Sequence, residues 1–116
     1  MTKRDVILQR TFDLKHRSGE KALTLLVLRP RRTRTGDYGC SYEIRVSRKV
    51  VVSRGPIYGS DAVQALLLAL GLVDIDLERI ERERPGRRIP DWQRDDLRRL
   101  KPAVPAGDRS GSRSRR

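Results

Sequence analysis

The apolar residues of positions 5–14 keep one parity. Val6, Leu8, Phe12 and Leu14 share a side, with Arg10 interrupting, and a period of two predicts a half-buried strand. Ser18-Gly19 then marks a turn. In residues 21–29, Leu23, Leu25 and Val27 face one way and Leu26 and Leu28 the other, so this strand is expected at the centre of the sheet. Pro30, which has no N–H to give a ladder, ends it. A loop with two glycines and three arginines is expected over 31–39. Cys40, Tyr42, Ile44 and Val46 then alternate with Ser41, Glu43, Arg45 and Ser47, the pattern of an antiparallel strand with one wet face. After a tight connection at Arg48-Lys49, the β-branched residues of 50–54 predict a fourth strand.

The period changes after Gly55-Pro56-Ile57-Tyr58-Gly59, which is expected to break the sheet. Ser60 is the expected N-cap, with Asp61 in the first turn suiting the helix dipole. Ala62, Leu66, Ala69, Leu70, Val73 and Leu77 fall on one helical face. At Gly71 the helix either continues to about residue 83 or breaks and restarts with Asp74 as a new cap; continuation is favoured. The fold class expected is α+β: a four-stranded antiparallel sheet, β-β-β-β-α, covered by one apolar helix, with residues 1–92 as a single domain and 93–116 as a basic, disordered tail. Residues 91–100 hold a possible short helix of poor apolar spacing (Trp92, Leu97, Leu100).

This helix carries more apolar surface than one sheet uses. Leu68, Leu72 and Ile75 lie nearly opposite its core face, and a helix apolar all round is normally buried on both sides. Two covers are open: the segment after the helix, through Ile89 and Trp92, or a second subunit packed helix to helix. Leu68, Leu72, Ile75 and Trp92 are therefore the candidate interface.

Charge adds a second candidate surface. The formal net charge is +12, distributed as +9 over residues 1–60, −3 over 61–80 and +6 over 81–116. A basic surface attracts phosphate polymers, although 22 arginines against 5 lysines also fit a compositional bias. Arg29, Arg31, Arg32 and Arg34, ending at Tyr38, form a basic loop with an aromatic, and Arg113, Arg115 and Arg116 add charge at the tail. Aromatic residues make up 4% of the chain, and no stacking surface of the RNA-recognition type is visible on central strands.

Catalytic chemistry finds little support. His16 stands alone in a turn with Ser18 nearby, and one cysteine with one histidine cannot build a structural zinc site. Cys40 lies on the inward parity of its strand and reads as a core residue. Asp74, Asp76, Glu78, Asp91, Asp95 and Asp96 stand near Arg79, Arg82 and Arg99, and solvated ion pairs are expected. Residues 55–60, with Arg54, lead into a helix N-terminus but match no phosphate-loop pattern, so capping explains them. No cofactor and no metal are expected, nor a membrane span, since the longest apolar run is far below about 20 residues. A single cysteine and the absence of a signal peptide suit the cytoplasm.

The stretch Tyr58-Gly59-Ser60-Asp61-Ala62-Val63-Gln64-Ala65-Leu66-Leu67-Leu68-Ala69-Leu70, with Trp92 shortly after, resembles a family of small uncharacterised bacterial proteins in which a G-x-D-x-x-Q-A-L-x-L-A-L-type helix follows a few strands. The resemblance implies the same α+β arrangement over about residues 5–92 and carries no activity; the basic tail departs from it. Gln64 is expected to satisfy backbone groups of the adjoining turn. The functional expectation is a non-enzymatic binding module that self-associates or binds a protein partner. The alternative is a nucleic-acid-binding protein using residues 29–34 and the tail.

Overall fold

A computed structural model describes residues 5–99. The protein is α+β. Its strands are β1 (Val6–His16), β2 (Gly19–Leu28), β3 (Arg31–Arg32), β4 (Tyr38–Val46) and β5 (Lys49–Gly59), and its helices α1 (Ala62–Arg82) and α2 (Asp91–Arg98). Every pairing is antiparallel: β1 with β2, β2 with β4, β3 with β4, and β4 with β5. β2 is central, as its apolar content predicts. β3 is the fifth strand, which the sequence pattern does not announce: past Pro30 the chain resumes pairing with the start of β4, Arg31 opposite Gly39 and Arg32 opposite Tyr38.

β5 runs straight through the segment expected to break the sheet. Between the pairs Cys40↔Ile57 and Tyr42↔Arg54 the register shifts, so Gly55 and Pro56 are absorbed as a bulge opposite Ser41. Gly55 makes this possible: its φ is +131°, and a Cβ there would lie 2.2 Å from Ser41 Oγ. β5 is an edge strand, where a proline costs no ladder bond. At the β4–β5 turn Ser47 takes a left-handed conformation (φ 58°), one residue earlier than the expected connection, and its N–H donates to Ala22 O at 2.7 Å.

The core lies on one side of the sheet. Leu23, Leu25 and Val27 of β2 and Cys40, Tyr42 and Ile44 of β4 meet Ala65, Ala69, Val73 and Leu77 of α1, all fully buried. The helix is continuous past Gly71. Its N-cap is Asp61 rather than Ser60: the Asp61 carboxylate accepts from Gln64 N at 2.8 Å, while the Gln64 side chain returns to accept from Ser60 N at 2.5 Å. Ala62 and Leu66, expected in the core face, are half-buried at its edge.

α1 packs chiefly over β4 and β5, which leaves β1 to be covered by the chain beyond α1. Arg88 pairs with Lys15 through two backbone hydrogen bonds of 2.7 and 2.8 Å, Ile89 is buried, and α2 closes the layer with Leu97 beside Phe12 and Leu25. Asp13 N donates to Gln93 Oε1 at 2.9 Å and Gln93 Nε2 to Asp13 Oδ2 at 2.8 Å. Gln93, Arg94 and Leu97 are buried, so the folded unit extends past the expected boundary at residue 92 and through α2. The short helix that the sequence allowed over 91–100 forms over Asp91–Arg98, and its apolar spacing is poor because two of its three buried residues are polar. The rest of the expected tail lies outside the described residues.

A chain ending at Trp92 loses Leu97 and the Arg94 ion pairs. Its unfolding free energy, from urea denaturation, should fall by about 3 kcal/mol or more relative to the full chain. An unchanged midpoint would mean that α2 contributes nothing to the core.

Candidate functional site

Two buried charge clusters replace the solvated ion pairs expected of the acidic residues. The first centres on Asp76, which the spacing of α1 places on the core face between Val73 and Ile80. Arg54 of β5 grips it with a fork, Nε to Oδ2 at 2.6 Å and Nη2 to Oδ1 at 2.7 Å. The Tyr42 hydroxyl of β4 donates to the same Oδ2, and Arg79 Nη2 lies 3.4 Å from Oδ1. Burial by itself would push the Asp76 carboxyl up; the Arg54 and Tyr42 hydrogen bonds and the Arg54 and Arg79 charges outweigh it and hold it below the usual range. Burial, then the bond to Asp76, pushes the Tyr42 phenol well above its ordinary value. Tyr42 and Asp76 are both sealed from solvent, while Arg54 and Arg79 reach them from the surface, and the cluster joins β4, β5 and α1.

The second cluster joins the two helices. Arg94 of α2 donates to Glu81 Oε1 at 2.6 Å and to Asp74 Oδ1 at 2.8 Å, and Ile89 N donates to Glu81 Oε2 at 2.8 Å. Burial opposes the Arg94 charge, and the bonds to Asp74 with the charges of Asp74 and Glu81 more than restore it. Asp95 and Asp96 do follow the expectation, in exposed pairs with Arg98 at 3.2 Å and Arg10 at 3.0 Å.

The remaining candidates for chemistry lie in a turn and in the core. His16 Nδ1 and Ser18 Oγ are 2.5 Å apart within the β1–β2 turn, and Ser18 N–H also donates to His16 Nδ1 at 3.1 Å. No further side chain of the described residues hydrogen-bonds to this pair. Cys40 is buried, which pushes its thiol up. Among the described residues no group of three His, Cys, Asp or Glu side chains is placed to hold a metal. No helix among them is long and apolar enough to cross a membrane.

The basic loop converges on one feature. Arg29, Arg31 and Arg32 are exposed and, with Asp5, Leu28, Thr33, Gly39, Ser41 and Pro56, line a concavity of about 330 Å³ at the end of the sheet. Arg31 is tied to Asp5 at 2.5 Å. Among the described residues, no carboxylate forms an ion pair with Arg29, Arg32 or Arg34. Gly39 and Ser41 alternate with the core residues Cys40 and Tyr42, so they belong to the sheet face that neither α1 nor α2 covers. Arg34 is exposed but lies outside the concavity. Tyr38, the aromatic expected to assist, is half-buried and packs against the core instead. Its parity explains this, since it lies two residues before Cys40. The exposed aromatic here is Tyr58 of β5, paired with Gly39 and 56% exposed. The sequence pattern assigned Tyr58 to a chain break, which hid its place on the sheet. Arg113, Arg115 and Arg116 lie outside the described residues.

The apolar stripe of α1 is divided. Leu72 packs against the core, whereas Leu68 and Ile75 stay exposed. The segment after α1 does fold back, as one of the two expected covers required, but onto another side of the helix: Ile89 is buried and Trp92 points to solvent, 63% exposed. Trp92 therefore does not cover Leu68 and Ile75.

A family model described as a domain of unknown function, DUF6968, matches residues 8–99. The chain belongs to that family. No curated protein and no solved structure matches it.

The Asp76 cluster gives stability a pH signature. A carboxylate with a lowered folded pKa contributes above its unfolded value of about 3.9, and that contribution is lost as pH falls through the folded value. A phenol with a raised folded pKa contributes fully below about 10 and loses its contribution as pH rises beyond. Unfolding free energy against pH should fall at both ends, and Tyr42→Phe should remove the part of the alkaline fall due to Tyr42 while keeping the acid one. Arg54→Ala, which leaves a buried carboxylate short of a partner, should cost about 3 kcal/mol at neutral pH.

Proposed function

We propose that this member of the DUF6968 family is a non-enzymatic binding module that takes nucleic acid at the basic end of its sheet. The observation that carries the reading is that Arg29, Arg31 and Arg32 all line one concavity, whose single carboxylate, Asp5, is paired with Arg31. Guanidinium groups bind phosphate oxygens in a fork geometry and keep their charge at any physiological pH. Thr33 and Ser41 on the same lining supply hydroxyl groups of the kind that contact phosphate and sugar. The excess of positive charge over residues 1–60 favours the same partner at longer range. Function through binding also accords with the one histidine and one cysteine being engaged in a turn and in the core.

A second reading, self-association through α1, is supported by Leu68 and Ile75, which flank Gly71 on an exposed helix face. Gly71 has open space where a side chain would be, so a second backbone has room to approach closely. The two readings use opposite sides of the molecule and do not compete.

For the first reading, affinity for short oligonucleotides, followed by anisotropy, should fall steeply with salt. Arg29→Glu with Arg32→Glu should weaken binding and flatten the salt slope by about one per arginine removed. An unaltered slope would assign the binding to another surface. For the second, light scattering should show a dimer that Leu68→Glu with Ile75→Glu converts to monomer; a wild-type monomer at high concentration would remove that reading.

A further inference from the structure

Tyr58 is not among the residues that line the basic concavity, but it stands next to two that do, Pro56 and Gly39. Residues directly opposite in neighbouring strands project to the same side of a sheet. Arg31 is opposite Gly39 in the β3–β4 pair, and Gly39 is opposite Tyr58 in the β4–β5 pair. A row Arg31–Gly39–Tyr58 therefore crosses this face, with a charge at one end, an aromatic ring at the other and, between them, a glycine over which Pro56 lies. The closeness of the chain at the middle position is marked: a Cβ on Gly39 would lie 2.8 Å from Pro56 Cβ and 3.4 Å from Tyr58 Cε1. A side chain at position 39 would displace Pro56 and the edge of the ring. Tyr58 is 56% exposed, although its neighbours in β5, Ile57 and Gly59, are turned inward to the core side.

We infer that the ligand of this site is a single-stranded nucleic acid, with one base stacked on Tyr58 and a flanking phosphate on Arg31, which the register puts on the same face; the inference rests on the nucleic-acid reading above. Two strand spacings separate Arg31 from Tyr58, about 10 Å, a span that a base and a neighbouring phosphate bridge. Bases in a duplex have both faces covered by their neighbours, so an exposed ring rewards only an unpaired, unstacked base. Every base has a π-face, so stacking here tolerates sequence, and Arg31 reads only the backbone. Gly39 lets Pro56 and the Tyr58 ring lie close against the sheet, and Ser41 adds a hydroxyl to the neighbouring lining.

The test is anisotropy of the full chain with labelled single-stranded DNA and RNA of about 12 nucleotides, against a hairpin duplex of the same composition. Single strands should bind more tightly than the duplex. Tyr58→Ala should weaken single-strand binding on the order of tenfold, Tyr58→Leu, which keeps bulk without a planar ring, should behave like Tyr58→Ala, and Tyr58→Phe should match wild type. Thermal melts of the three variants accompany the titration, and Tyr58→Leu serves if Tyr58→Ala fails to fold. Single strands bound equally by wild type, Tyr58→Ala and Tyr58→Leu, or a duplex bound more tightly than the single strands, would overturn the stacking inference while leaving nucleic-acid binding intact. No binding of either form at low salt would overturn both.

Discussion

A helix and a sheet of this size do not match in width, and the rest of the molecule is built around that mismatch. A helix with its side chains spans about 10–12 Å, while four paired strands at about 4.8 Å spacing present a face of roughly 15–20 Å. α1 covers β4 and β5 and part of β2, and Phe12 and Leu14 of β1 would otherwise face water. The chain after α1 returns to fill that space with Ile89 and Leu97. Both helices are thereby used on one side, and among the described residues the opposite face, with Gln9, Thr11, Thr24, Ser41 and Arg45, has no layer over it.

Arginine-carboxylate clusters sit where the helices meet the rest of the fold. Asp76 is held by β4 and β5 together, and Arg94 is held by two turns of α1. A buried ion pair of this kind gives little net stability compared with an apolar substitute, but its geometry fits one docking register and penalises the others. α1 is apolar on most of its circumference and needs such a constraint, because apolar contacts alone are tolerant of rotation about the helix axis. Part of the arginine excess is thus accounted for inside the fold, and the basic end of the sheet is a separate use of the same residue.

Periodicity made most of the scaffold readable. The parity of Leu23, Leu25 and Val27, the alternation from Cys40 to Val46 and the 3.6-residue repeat of α1 all reflect burial on a single side, which is what a pattern of apolar positions encodes. Features that depend on contacts between distant residues were hidden. Asp76 breaks the apolar pattern of its face, and its partners lie on two other elements; only its position between Val73 and Ile80 signalled burial. α2 buries Gln93 and Arg94, which hydropathy assigns to the surface. Tyr58 was hidden behind Gly55-Pro56, since a bulge that carries a strand past these residues depends on the partner strand, Ser41 included. At the basic end the arginines were visible as a run, but the choice of Tyr58 over Tyr38 required the register of β4 against β5.

The uncovered face and the basic end belong to the same layer, so the proposed nucleic-acid binding and the proposed self-association fall on different sides of the sheet. An amide chemical-shift titration of the isotope-labelled full chain with a short single-stranded oligonucleotide addresses this directly. Perturbations should gather on Arg31, Gly39, Ser41 and Tyr58 and leave the α1 amides around Leu68 and Ile75 unmoved. Shifts centred on α1, with the β3–β5 end unaffected, would contradict the placement of the binding surface on the open side of the sheet.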